Sequence, residues 1–138
     1  STQVEMKAEH NYYTADGRFQ FQYTDQGLII KKYIGTDSEV TVPEKIQGYP
    51  VTDIVREAFS GNNMIEKVTI NAKLQDIGDV FRDNEALREV VVPPSVKSIG
   101  YLAFYNTPAL STLTVASDCV VSSQCAGYDV NLTINYTE

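Results

Sequence analysis

The chain has no tryptophan, a single histidine (His10) and only two cysteines, Cys119 and Cys125. The cysteine spacing is neither a CxxC redox pair nor half of a zinc ribbon, and two cysteines alone do not fix a redox compartment. A thiol nucleophile would need a base, and the one histidine lies in an N-terminal stretch expected to be disordered or extended. Phosphate-binding glycine loops, HExxH and GxSxG are all absent, as is an EF-hand loop. No enzyme, metal or cofactor is therefore expected. Basic residues are also scarce and scattered, eleven against eighteen acidic ones, giving a net charge of −7. That field repels a phosphate backbone, so nucleic acid is excluded as a partner. No apolar run nears the roughly 20 residues that span a bilayer. Ser1 opens on a polar stretch, so any export signal or anchor is expected to have been removed or to lie outside this sequence.

What the sequence does have is a repeat. Ile65-x-x-Val68-x-Ile70 returns as Leu87-x-x-Val90-x-Val92 and again as Leu110-x-x-Leu113-x-Val115, 22 and 23 residues apart. This is the LxxLxL core of a leucine-rich repeat, whose period is about 20–29. Other apolar columns keep step: Leu74, Val96 and Cys119; Ile54, Ile77 and Ile99; Phe59, Phe81 and Phe104. The middle repeat is one residue short between Ile77 and Phe81. One coil cannot bury its apolar side alone, whereas stacked coils place like on like in a continuous core. Within each core segment the residues alternate in and out as a strand does, and the strands should lie side by side in a parallel sheet.

The other side of each coil is expected to carry a short helix, since Arg56-Glu57-Ala58-Phe59 are mostly helix formers. Gly61, Asp83 and Asn106 form a column of residue types that tolerate a left-handed backbone. The fold expected is thus an α/β solenoid with a parallel β-sheet on one face and short helices on the other. Val40-Thr41-Val42 reads as a first strand, with Asp37 where the leading leucine belongs, and Leu132-Thr133-Ile134 as a last one. Phe19, Phe21 and Tyr23 alternate before Gly27 and Leu28-Ile29-Ile30, a hairpin that would cap the core. The organisation expected is a disordered or extended N-terminus over residues 1–10, a hairpin cap and first half-repeat over 11–45, repeats over 46–118 and a C-terminal cap over 119–138.

Ile46-Gln-Gly-Tyr-Pro-Val51-Thr-Asp-Ile54, Glu57-Ala58-Phe59-Ser60-Gly61 and Val92-Pro-Pro-Ser-Val96-Lys-Ser-Ile99-Gly100-Tyr-Leu-Ala-Phe104 resemble the BspA-type leucine-rich repeats of bacterial surface proteins. The resemblance runs from about Ile34 to Ala116. Family repeats often carry cysteine just after the Gly/Asn turn; here Asn62, Asn84 and Thr107 stand there. The resemblance implies an exported or cell-surface bacterial protein, and some relatives bind host matrix proteins.

Candidate binding residues follow from strand alternation. The outward positions are Glu39, Thr41 and Pro43; Lys67, Thr69 and Asn71; Glu89, Val91 and Pro93; and Thr112, Thr114 and Ala116. They form columns suited to an extended protein surface, although threonine is also simply a good strand former. Tyr49, Tyr101, Tyr105 and Tyr128 fall outside the apolar columns and offer aromatic contacts, or pack between coils. Cys119 is either a small buried hydrophobe or the partner of Cys125 in a disulfide worth about 2–3 kcal/mol. Asp76, Asp79, Asp83, Glu85 and Glu89 read as a solvated acidic face, and the two N-x-T triplets at Asn131 and Asn135 as ordinary strand residues. The functions in play are a protein-binding adhesion module, a carbohydrate-binding module using exposed tyrosines, and a structural spacer.

Overall fold

The computed structural model describes residues 7–128 and 130–138. Most of the stretch expected to be disordered or extended, residues 1–6, lies outside them; Ala8 within it bridges to Tyr23. The strands are β1 (Tyr12–Tyr13), β2 (Phe19–Thr24), β3 (Gly27–Tyr33), β4 (Glu39–Val42), β5 (Lys45–Ile46), β6 (Tyr49–Ile54), β7 (Lys67–Ile70), β8 (Glu89–Val91), β9 (Ser98–Ile99), β10 (Thr112–Ala116), β11 (Val120–Val121) and β12 (Thr133–Thr137).

The repeat core segments become β7, β8 and β10, which pair in parallel as neighbours. The flanking segments Val40–Val42 and Thr133–Thr137 join them, so the sheet runs β12-β10-β8-β7-β4. Its inward row is Val40, Val68, Val90, Leu113 and Ile134, opposite one another in register. Val68, Val90 and Leu113 are wholly buried, each worth about 1.5–3 kcal/mol against exposure. A second, broken ladder holds the Ile54–Ile77–Ile99 column. Residues Ser98 and Ile99 pair in parallel with Val120 and Val121, which adds Val121 to that column. The break falls at the shortened middle repeat. There Gly78 has φ +51° and its N–H donates to the Asp76 carboxylate at 2.7 Å, a tight turn in place of a strand.

The helices expected on the far side are not formed: no helix occurs among the described residues, and Arg56–Gly61 is a run of turns. Only a handful of residues separates each Ile column from its left-handed turn, too few to nucleate a helix. The backbone finds partners in the next coil instead. The N–H groups of Phe59, Gly61, Asp83 and Phe104 donate to the carbonyls of Val80, Arg82, Tyr105 and Cys125 at 2.7–3.3 Å. The left-handed column is present, with φ of +69°, +61° and +56° at Gly61, Asp83 and Asn106.

The phenylalanine column is an aromatic spine. Ring centroids are 5.3 Å apart for Phe59–Phe81 and 5.9 Å for Phe81–Phe104. The N-terminal hairpin extends it with Tyr33, stacked 5.6 Å from Phe59, and Phe19 beside both. Antiparallel β2–β3 forms this lid, and β3 then runs parallel to β6. Gly27 is obligatory where the two meet. Its φ is +145°, and a Cβ there would strike the Pro50 carbonyl and come within 2.8 Å of Thr52. The segment Ile46–Tyr49 is a hairpin turn with φ of +54° at Gln47 and +83° at Gly48, the twist that two-residue loops favour.

Asp37, out of place in a leucine column, closes the lid. Its carboxylate accepts from Arg18 Nε (2.6 Å) and from the Tyr33 hydroxyl (2.9 Å), and its own N–H donates to that hydroxyl. The Arg18 hydrogen bonds, then that of Tyr33, hold the Asp37 carboxyl below its ordinary value. A depressed folded pKa stabilises above the unfolded value of about 4 and loses that effect as pH falls through the folded one. The thermal midpoint of the native chain is therefore expected to exceed that of Asp37→Asn near neutral pH, with the gap closing on acidification from about pH 4 downward. Asp118 titrates in both proteins and cancels in the comparison, whereas Asp16 shares Arg18 with Asp37 and titrates as part of the same clasp. A gap constant from neutral to acid pH would refute the clasp.

Candidate functional site

The parallel sheet presents three rows of outward side chains. Across β4, β7, β8, β10 and β12 the first row is Glu39, Lys67, Glu89, Thr112 and Thr133. The second is Thr41, Thr69, Val91, Thr114 and Asn135. The first is charged at its β4 end, where Lys67 lies 3.7 Å from Glu89. The second carries no charge and lies across neighbouring strands about 4.8 Å apart, so it reaches roughly 19 Å. Lys67, Thr69, Glu89, Val91, Thr112 and Thr114 are half-buried, and Thr41, Asn71 and Asn135 exposed. Beyond them the outward face ends. Pro93 and Ala116, expected to point to solvent, are buried, so the third row offers little surface on β8 and β10. The in–out alternation stops there because each chain has left its strand or is about to.

The tyrosines divide. Tyr49 is half-buried, its ring edge-on to Tyr23 at 5.5 Å, and serves the lid. Tyr101 and Tyr128 are exposed and meet edge to face at 6.3 Å, with their hydroxyls 3.3 Å apart. Tyr105, also exposed, lies under the Arg82 guanidinium at 4.8 Å. A groove of about 520 Å³ runs along the turn side between coils, with Arg56, Asp79, Arg82 and Tyr101 in its walls. Asp79 joins Arg56 (3.1 Å) and Arg82 (3.3 Å) there.

The acidic residues of the middle coil do not converge. Asp79 has its two arginines, Asp76 closes the Gly78 turn, Glu89 faces Lys67 and Asp83 accepts from Asn106 at 2.7 Å. Among the described residues no group of three or more His, Cys, Asp or Glu is placed to hold a metal ion. Cys119 and Cys125 are buried and not bonded to each other, so the disulfide reading is not the one adopted. They close different columns. Cys119 follows Leu74 and Val96, whereas Cys125 stands two residues before left-handed Gly127, as Phe104 stands before Asn106. Burial pushes both thiols above their ordinary pKa, which keeps them protonated and unreactive.

The positions where cysteine was expected prove to be polar anchors, which sequence reasoning missed. Asn84 is wholly buried and its amide donates to the carbonyls of Phe59 (2.7 Å) and Phe81 (2.8 Å). Thr107 donates to Phe104 O at 2.9 Å, and Asn62 accepts from the N–H groups of Met64 and Ile65. The signal available was the column itself: three polar residues at one register of an otherwise apolar repeat.

Six copies of the BspA type leucine rich repeat region match residues 33–133. The chain belongs to this family. Two solved structures share its fold. One is a leucine rich repeat protein of T. pallidum, 23% identical with TM-score 0.55, over 80% of this chain and 65% of that one. The other is a leucine rich cell surface protein of Faecalibacterium prausnitzii A2-165, 23% identical with TM-score 0.62, over 95% of this chain and 44% of that one. This BspA-type chain thus spans less than two-thirds of each. No curated protein sequence matches it significantly.

Proposed function

We propose that this BspA-type chain is a non-enzymatic, protein-binding module of a bacterial cell-surface or secreted protein, and that it binds through the outward face of its parallel sheet. The observation that carries this reading is the uncharged row Thr41, Thr69, Val91, Thr114 and Asn135, held in register across five strands. An acidic molecule that keeps one strip free of charge can approach a protein there without desolvating ions. The rim of Lys67, Glu89 and Asn71 supplies polar contacts around it. Binding rather than chemistry is supported by the placement of reactive groups: His10 lies at the lid and both thiols are buried in the last coils. The cell-surface location is supported by the family and by the F. prausnitzii neighbour. Adhesion to host matrix proteins is the form of binding proposed.

A second reading has one observation in its favour: the groove beside exposed Tyr101, where an aromatic face adjoins a carboxylate and two guanidinium groups, a combination that suits a saccharide. One experiment separates the two. Immobilised host matrix proteins and a glycan array are challenged with the native chain, with Thr69→Arg/Thr114→Arg and with Tyr101→Ala. Saturable protein binding that falls tenfold or more, about 1.4 kcal/mol or greater, only in the double arginine variant is the expected result. Glycan binding lost only in Tyr101→Ala would replace the first reading with the second. No binding in either arm would leave the spacer role.

A further inference from the structure

We propose that Tyr101 and Tyr128 form an oxidative crosslinking site, at which a haem peroxidase with hydrogen peroxide joins two neighbouring coils through a dityrosine bond. The two residues stand 27 apart in the chain. Backbone hydrogen bonds hold their coils together at this point. Leu102 N–H donates to Gln124 O at 3.1 Å, and Phe104 N–H to Cys125 O at 2.7 Å. Leu102 has φ of +56°, a left-handed conformation uncommon for leucine. The turn that carries Tyr101 is thus fixed against the coil that carries Tyr128. The rings meet edge to face, with one hydroxyl donating to the other at 3.3 Å. Tyr23 and Tyr49 also touch, but both are half-buried, and among the described residues no hydrogen bond joins their hydroxyls.

The chemistry balances as follows. Each phenol gives its O–H hydrogen atom, electron and proton together, to the peroxidase. The two phenoxyl radicals carry spin on the ring carbons beside the oxygen, and a bond forms between one Cε of each ring. A proton leaves each bonded Cε and one returns to each oxygen, which restores both phenols. Two hydrogen atoms depart in all, and one hydrogen peroxide takes them up to become two waters. The product keeps its hydroxyls side by side and its rings twisted out of one plane. The native pair already has the hydroxyls adjacent and the rings inclined at 68°. At 58% and 64% exposure both rings have room to close on each other. Tyr101 also lines the turn-side groove, where an oxidant reaches it. A radical formed on either ring has its partner in contact, so coupling needs no diffusional encounter. Cys119 and Cys125, whose thiols would quench such a radical, are buried. The new bond would tie together coils that the two cysteines leave unlinked, and it would restrict the unfolded chain as a disulfide does.

The test treats the native chain, at low micromolar concentration, with a haem peroxidase and hydrogen peroxide. Dityrosine fluorescence, gel mobility and intact mass are followed. The expected product is a monomer lighter by two hydrogen atoms. Asp118 lies between the two tyrosines, so the peptides on either side should stay joined after proteolytic cleavage there. Tyr101→Phe and Tyr128→Phe should each lower the dityrosine of the monomer by about tenfold or more, because the partner in contact is lost. Tyr49→Phe and Tyr105→Phe should leave it unchanged. Circular dichroism checks that each variant is folded, and either of the first two suffices should the other fail. The crosslinked monomer should also unfold at a higher urea concentration than the untreated chain. No dityrosine in the monomer, a product found only between chains, a yield indifferent to both Tyr101→Phe and Tyr128→Phe, or an unchanged urea midpoint would overturn the proposal.

Discussion

Replacing Phe81 by alanine is expected to destabilise the chain by about 3–5 kcal/mol, the largest effect of any single truncation. Phe81 is 1% exposed and lies between Phe59 and Phe104 in the spine. In a globular core the surrounding side chains can relax into such a space from several directions. A solenoid has only two neighbours for each coil, and its stability is close to a sum of coil and interface contributions. Removing Phe81 weakens both interfaces of the middle coil together. The expected loss is a large share of the roughly 5–15 kcal/mol that domains possess. It should also cost cooperativity, because the N-terminal lid with its coil and the C-terminal coils become less coupled. Urea unfolding followed by tyrosine fluorescence and by circular dichroism measures both consequences. Phe81→Ala should lower the midpoint, and the two probes should no longer coincide. Tyr105→Ala, which removes an exposed ring, serves as the control and should change stability by less than about 1 kcal/mol. A Phe81→Ala cost as small as that of the control would mean that the coils do not share a core.

The spine was legible in the sequence because its cause is simple. Side chains that must stack on their own equivalents recur at the coil period, so Phe59, Phe81 and Phe104 declare themselves, as do Val68, Val90 and Leu113. The left-handed column was legible for a similar reason: few residues accept positive φ, and Gly61, Asp83 and Asn106 are among them. The far side of the coil misled because helix propensity describes an isolated segment. Glu57 and Ala58 favour helix, but Phe59 and Gly61 take their hydrogen bonds from the next coil, a contact that no local preference encodes. The outward face of the sheet was legible in its rows but not in its limits. Alternation placed Thr69, Val91 and Thr114 correctly, yet it could not show that Pro93 and Ala116 are covered. The tyrosines were ambiguous for a related reason: ring size alone does not distinguish Tyr49, held against Tyr23, from Tyr101 in solvent.

Replacing Asn84 by leucine, close to it in shape, is expected to cost about 2–6 kcal/mol, since two buried carbonyls would each lose a donor worth about 1–3. Asn84 donates to Phe59 O in the preceding coil and to Phe81 O in its own. Among the described residues no backbone N–H reaches either carbonyl. The amide thus links two turns of the solenoid at the point where a helix would have satisfied these groups internally. Thr107→Val, which removes one such bond at Phe104 O, should cost about 1 kcal/mol. Asn84→Cys is the informative intermediate. A thiol is a weak donor that also packs as a small hydrophobe, so it should retain part of what leucine loses. That order, Asn above Cys above Leu in urea midpoint, would explain why one register of this repeat can hold either a cysteine or a polar side chain. Both answer the same buried carbonyls on the turn side. If Asn84→Leu were as stable as the native chain, those carbonyls would have found other partners, and the amide would not be what ties the turns together.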